Sequence, residues 1–150
     1  MYYERSVDQL LVEWSQATDR KPLLLRGARQ VGKTSAILHF AGRFEHFIAV
    51  NFDERKAFIQ LFEQAETVEE VCDQLSLLTG VPIIPGKTLV FLDEIQASVP
   101  ALRMLRYFYE KMPGLHVIAA GSLLEFALEE LPSFGSGRVR SIFMYPFSFR

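Results

Sequence analysis

Eight consecutive residues, Gly27-Ala28-Arg29-Gln30-Val31-Gly32-Lys33-Thr34, fit the pattern Gly-x-x-x-x-Gly-Lys-Ser/Thr without departure. The run just before them, Pro22-Leu23-Leu24-Leu25, has the uninterrupted apolar character of a fully buried parallel strand. The residues after them, Thr34 to Ala41, read as a helix whose apolar side is Ile37, Leu38, Phe40 and Ala41. Strand, glycine-bounded loop and helix together describe a phosphate-binding loop. The two glycines let the backbone bend around an anion and turn successive N–H groups inward. The first helical turn adds unpaired N–H donors and the positive end of its dipole, so the nucleotide-binding set runs from Gly27 through Ser35. Lys33 supplies a charge for the β- and γ-phosphates of ATP, and Thr34 a hydroxyl for Mg²⁺. The alternative is a plain glycine-containing turn between strand and helix.

A second motif agrees with the first. Lys87-Thr88-Leu89-Val90-Phe91-Leu92 is an apolar, β-branched and aromatic run that ends in Asp93-Glu94. An acid at the carboxyl end of a buried strand lies where open α/β sheets bind ligands. Asp93 is expected to hold Mg²⁺ opposite Thr34, directly or through water, and Glu94 to poise the attacking water as base. A buried strand that happens to end in a surface acidic pair is the competing explanation. A carboxylate beside the metal ligand favours hydrolysis over kinase chemistry, for which the sequence shows no acceptor pocket or lid.

The rest of the chain alternates strands and helices. Val7, Leu10, Leu11 and Trp14 mark an amphipathic helix over about 5–17, with Ser6 and Gln9 spaced as a capping box. His46 to Asn51 reads as the second strand, His46 being a strand-edge residue rather than a ligand. Phe58, Leu61 and Phe62 give a short helix within 54–62, and Gly42 a stop for the helix before it. Thr67 with Glu70 starts another helix, Gly80 ends it, and 82–86 is a break. A helix over 100–112 turns Leu102, Leu105, Phe108 and Met112 inward and Arg103, Arg106 and Lys111 to solvent. Leu115 to Ala120 is a further buried strand closing on Gly121-Ser122. Ser122 is placed either to sense the γ-phosphate or to cap a helix over 123–131, with Glu125 as its box partner. A loop at 132–137 leads to a final strand over 138–145 and an aromatic-rich end, Phe147 to Arg150.

Composition narrows the classes. A length of 150 residues fits one domain, 1–150, and 49% hydrophobic residues with 13 Phe exclude a disordered chain. Net charge is −2 and no block of five basic residues appears, so a nucleic-acid partner is not indicated. Cys72 is alone, at helical spacing with Val68, Val71 and Leu75, and reads as a buried inert thiol. No apolar run approaches the ~20 residues of a membrane span and no secretory leader is recognisable, so a cytoplasmic setting is expected.

Taken in order, Arg26 to Thr34, Leu92-Asp93-Glu94-Ile95-Gln96, Gly121-Ser122, Gly137-Arg138 and Tyr145-Pro146-Phe147-Ser148-Phe149-Arg150 resemble the AAA-type ATPase domain of a bacterial and archaeal family of ATP-binding proteins. In that family the ATPase core precedes a poorly characterised C-terminal domain. The resemblance implies a three-layer α/β P-loop NTPase fold. Its sheet is mostly parallel, of about five strands, in the additional-strand order that separates the two motif strands by a third. It implies MgATP binding and hydrolysis, with Arg138 as arginine finger or sensor and Arg140 as runner-up. It further implies a longer parent protein, with self-association or the C-terminal domain supplying the remaining contacts. An ATP-dependent switch or scaffold with little turnover, and a nucleic-acid-stimulated motor, are the alternatives.

Overall fold

The computed structural model describes residues 2–27, 33–121 and 137–143. Among them the apolar runs become strands: β1 (Leu23–Arg26), β2 (His46–Asn51), β3 (Thr88–Asp93), β4 (His116–Gly121) and β5 (Arg140–Phe143). They form one sheet in the order β2-β3-β4-β1-β5, and every pairing is parallel. β4 therefore lies between β1, which leads into the phosphate loop, and β3, which ends in Asp93. This is the additional-strand order implied by the resemblance.

Among the described residues, five helices cover the two faces: α1 (Tyr2–Ser15), α2 (Lys33–Ala41), α3 (Lys56–Gln64), α4 (Val68–Thr79) and α5 (Val99–Lys111). Successive strand residues point to opposite faces, so each central strand serves two cores at once. Leu23, Leu25, Leu89, Phe91, Ile118 and Ala120 meet Leu11 and Trp14 of α1 and Ile37 and Phe40 of α2. Leu24, Val90, Leu92, Val117 and Ala119 meet Phe58, Phe62, Val71, Leu75, Leu102, Leu105 and Phe108 from α3, α4 and α5. Each fully buried Leu, Val or Phe stabilises by roughly 1.5–3 kcal/mol, which is why these strands read as unbroken apolar runs. The outcome is a three-layer sandwich.

Local chemistry sets most of the element ends. The Thr67 side chain accepts from Glu70 N (3.1 Å), and Gly80 closes α4 in the left-handed region at φ 75°. The returning bond of the box shifts by one residue, since Glu70 Oε1 accepts from Glu66 N (2.7 Å). Ser98 caps α5 by accepting from Ala101 N (3.1 Å). Cys72 is buried against Met112, with 3.6 Å between sulfurs, and burial pushes its thiol up to about 12. It is the inert thiol expected.

Three sequence expectations need correction. The final strand starts at Arg140 rather than at Arg138. α1 begins at Tyr2, so Ser6 lies inside the helix and does not start it. The stripe from Val7 to Trp14 fixes the helix, and nothing in Tyr2-Tyr3-Glu4-Arg5 breaks its upstream extension. α3 begins at Lys56 rather than Glu54, because Asn51 Oδ1 accepts from Asp53 N (2.9 Å) and prolongs the turn after β2. The helix expected over 123–131 and the aromatic end from Tyr145 to Arg150 lie outside the described residues.

Candidate functional site

Because all strands run the same way, their carboxyl ends share one edge of the sheet. Registers place Arg26 beside Gly121 and Asn51 beside Asp93 on that edge. Past Arg26 the chain turns at Gly27, whose φ of 146° is open to glycine and strained for other residues. Lys33 opens α2, and Thr34 and Ser35 follow in its first turn with exposed side chains. Ala28, Arg29, Gln30, Val31 and Gly32, together with Ser122, lie outside the described residues.

Thr34 and Asp93, about sixty residues apart in sequence, line one cleft of ≈ 400 Å³. Asn51 at the end of β2, and Glu54 and Arg55 from the turn after it, line it as well. Asp93 Oδ1 accepts from Glu94 N (2.9 Å), which fixes the carboxylate at the strand end. A hydroxyl and a carboxylate are hard oxygen donors of the kind Mg²⁺ takes from protein, phosphate and water completing its six ligands. Among the described residues no group of three or more His, Cys, Asp or Glu stands ready to hold a metal by itself. A larger groove, ≈ 630 Å³ between α3 and α4, contains none of the motif residues.

Glu94 has φ 55° and ψ 45°, the left-handed region, and among described non-glycine residues it alone has positive φ. That conformation costs an L-residue roughly 1–2 kcal/mol. It turns the chain from β3 into a 3₁₀ turn, Ile95–Ala97, closed by Ala97 N donating to Glu94 O and Ser98 N to Ile95 O. Gln96 Nε2 donates to Glu94 Oε1 (2.8 Å). Neither Asn51 nor Gln96 stood out as a site residue in sequence. Asn51 comes beside Asp93 only through strand register, and Gln96 meets Glu94 only through the left-handed bend, so neither carries a local signal.

Arg138 and Arg140 lie elsewhere. β5 starts opposite Leu23, at the amino ends of the strands, and Arg138 precedes it. From Arg138 to the level of Arg26 is five residues, or about 16 Å of extended chain. Arg138 Nε pairs with Glu110 near the end of α5, where Tyr109 also donates its hydroxyl to Asp19 (2.8 Å). Arg140 is exposed at the start of β5, with its N–H donating to Pro22 O. The structure does not bring either arginine together with Glu94 of the same chain.

A family model described as an AAA domain matches residues 19–150. No curated protein matches the chain. Among solved structures, it is similar to the Aeropyrum pernix ORC1 protein in complex with DNA, with 18% identity, TM-score 0.61, and 98% of this chain against 45% of that one. A Walker-type ATPase of Pyrococcus abyssi is 22% identical, TM-score 0.57, over 95% of this chain and 53% of its own. Drosophila ORC bound to GC-rich DNA and Cdc6 is 12% identical, TM-score 0.56, over 99% and 59%. At these identities the likeness concerns the fold, and the chain spans about half the length of the structures it matches. Among the described residues no helix is long and apolar enough to cross a membrane.

Proposed function

The chain belongs to the AAA-domain family of P-loop ATPases, and from that premise we propose that it binds ATP with Mg²⁺ and hydrolyses the β–γ phosphoanhydride. The observation that carries this reading is the cleft that Thr34 and Asp93 share; Glu94 is the next residue in the chain after Asp93. Lys33 and the N–H groups from Gly27 to Ser35 bind and neutralise the phosphates. Thr34 and Asp93 would hold Mg²⁺, which when bound would supply neutralisation of the phosphate charge. Glu94 accepts a proton from water as the water oxygen bonds to the γ-phosphorus and the bond to the bridging oxygen breaks, leaving ADP and phosphate. Ser122, following β4, is the sensor candidate.

Arg138 acts, in this reading, on the nucleotide of a neighbouring subunit. Its distance from Glu94 along the strands favours that over action within its own chain. An arginine finger supplied from outside is worth about 10³–10⁵ in rate. Turnover per chain is therefore expected to rise with protein concentration, and Arg138→Ala to remove the rise while sparing ATP affinity. Brisk, concentration-independent turnover indifferent to Arg138→Ala would leave a self-sufficient monomeric hydrolase.

Separate roles for the acidic pair make the central test. By calorimetry and steady-state turnover, Glu94→Gln is expected to keep MgATP binding and lose hydrolysis. Asp93→Asn is expected instead to weaken the Mg²⁺ dependence of binding. Two variants that behave alike would remove the assignment of metal ligand and base.

A further inference from the structure

Within Leu92-Asp93-Glu94-Ile95-Gln96, the hydrolytic reading gives Gln96 no task. Its backbone is held on both sides. Ile95, fully buried, anchors the 3₁₀ turn in the core beneath α5, and Ser98 closes the turn and caps the next helix. The left-handed bend at Glu94 folds the chain back, so that side chains two residues apart meet: Gln96 Nε2 lies 2.8 Å from Glu94 Oε1. The other end of the same amide, Oε1, is buried and has no hydrogen-bond partner among the described residues.

Gln96 itself is half-buried, and a side-chain oxygen buried without a partner is a poor choice if filling space were its only task, since Leu or Met would fill the volume without that cost. Its orientation is also dictated. Turning the amide over would set its carbonyl oxygen against the carboxylate oxygen, so only the present arrangement bonds. The strained backbone at Glu94 and the half-satisfied amide at Gln96 thus converge on one product, a carboxylate whose rotation is restrained by a fixed donor.

We propose that Gln96 is a positioning residue for Glu94, holding its carboxylate in the orientation from which it takes the proton of the attacking water. This rests on the reading of Glu94 as the base. Gln96 makes no contact with nucleotide in this account; it acts through the carboxylate, and its effect falls on the chemical step and spares binding.

The experiment compares Gln96→Leu, the isosteric Gln96→Glu and Glu94→Gln in the 150-residue chain, reading MgATP affinity by calorimetry and kcat by steady-state turnover. Gln96→Leu is expected to lower kcat about 10- to 100-fold, as misplacement of a catalytic group by about an ångström does, with Kd for MgATP within twofold of wild type. Gln96→Glu, which replaces the donor by a like charge at unchanged size, should lose at least as much and covers the case in which the leucine variant does not fold. A merely structural glutamine would instead lower the denaturation midpoint and the MgATP affinity together with kcat, so a lowered kcat at unchanged Kd separates the two roles. If Glu94→Gln abolishes turnover but both Gln96 variants keep kcat within twofold, the positioning role is overturned and the base survives. If Glu94→Gln turns over like wild type, the base reading falls and this proposal with it.

Discussion

At the amino ends of the strands, side chains tie neighbouring elements together, although Arg20 Nε and His116 Nδ1 stay buried without a hydrogen-bond partner among the described residues. His116 at the start of β4 is buried, donates from Nε2 to Ser15 O (3.1 Å) and meets Trp14 edge-on at 5.6 Å. Trp14 Nε1 donates to Lys21 O, Arg20 reaches both Ser15 O and Pro113 O, and Arg138 pairs with Glu110. At the carboxyl ends the arrangement is the reverse. Asp93, Thr34 and Asn51 face an open cleft, Gly27 has a positive φ, and Glu94 carries the left-handed strain. One end of a parallel sheet can be spent on chemistry only because the other is tied down. All five amino ends are fastened to α1, α5 or a neighbouring strand, and strain at the opposite edge is tolerated because the sheet between them is dry and close-packed.

The comparison predicts that variants at the two ends fail in different ways. The largest effect belongs to the amino end: Trp14→Ala should cost about 3–5 kcal/mol in chemical denaturation, with MgATP affinity of the folded fraction unchanged. A loss of nucleotide affinity matching the loss of stability would dissolve the distinction between the ends. Lys33→Ala should do the opposite, leaving the midpoint of the nucleotide-free protein in place. It should remove the stabilisation that MgATP gives wild type, roughly 2.7 kcal/mol at a hundred times Kd. A thermal scan in which wild type itself gains nothing at millimolar MgATP would count against the cleft. Arg138→Ala, at a half-exposed ion pair, should change stability by no more than about 1 kcal/mol, so any larger consequence must appear in turnover.

The smallest effect is a pH slope. Burial, aided by Arg20, holds the His116 imidazole below its ordinary 6.5, the hydrogen bond to Ser15 opposing them. The unfolded chain therefore binds a proton near pH 6.5 that the folded chain does not. Stability from this group is complete above that pH and drains as pH falls below it. Denaturant midpoints measured between pH 7.5 and 5 should show the decline, and His116→Phe should flatten it even if the lost bond to Ser15 lowers the whole curve. A decline unchanged in that variant would assign it to other groups.

Legibility followed the physics of each feature. β2 was readable to the residue, His46 to Asn51, because an apolar run bounded by polar residues is a local pattern. α4 was readable at both ends because Thr67 and Gly80 are local caps. The start of α1 was misread because a capping-box pattern inside a helix looks the same as one that begins it. The polar partners of Arg138 were not readable at all, since Glu110 is distant in sequence and reached only through the sheet.

What the sequence determined by itself is the chemistry and its carrier. A glycine-bounded loop with Lys33 and Thr34 after an apolar run, and an acidic pair after another, require an α/β sheet with phosphate-binding residues at its carboxyl edge, because turn geometry, burial and donor type are properties of short segments. Tertiary structure alone decided which groups meet. It set Asn51 beside Asp93 and put Thr34 and Asp93 in one cleft, because strand order and register are fixed by how two helical layers pack on the sheet. It also bent Glu94 back onto Gln96 and carried Arg138 to the far end. A left-handed residue is held by the core around it, and in a parallel sheet a residue's end is set by the strand it leads into.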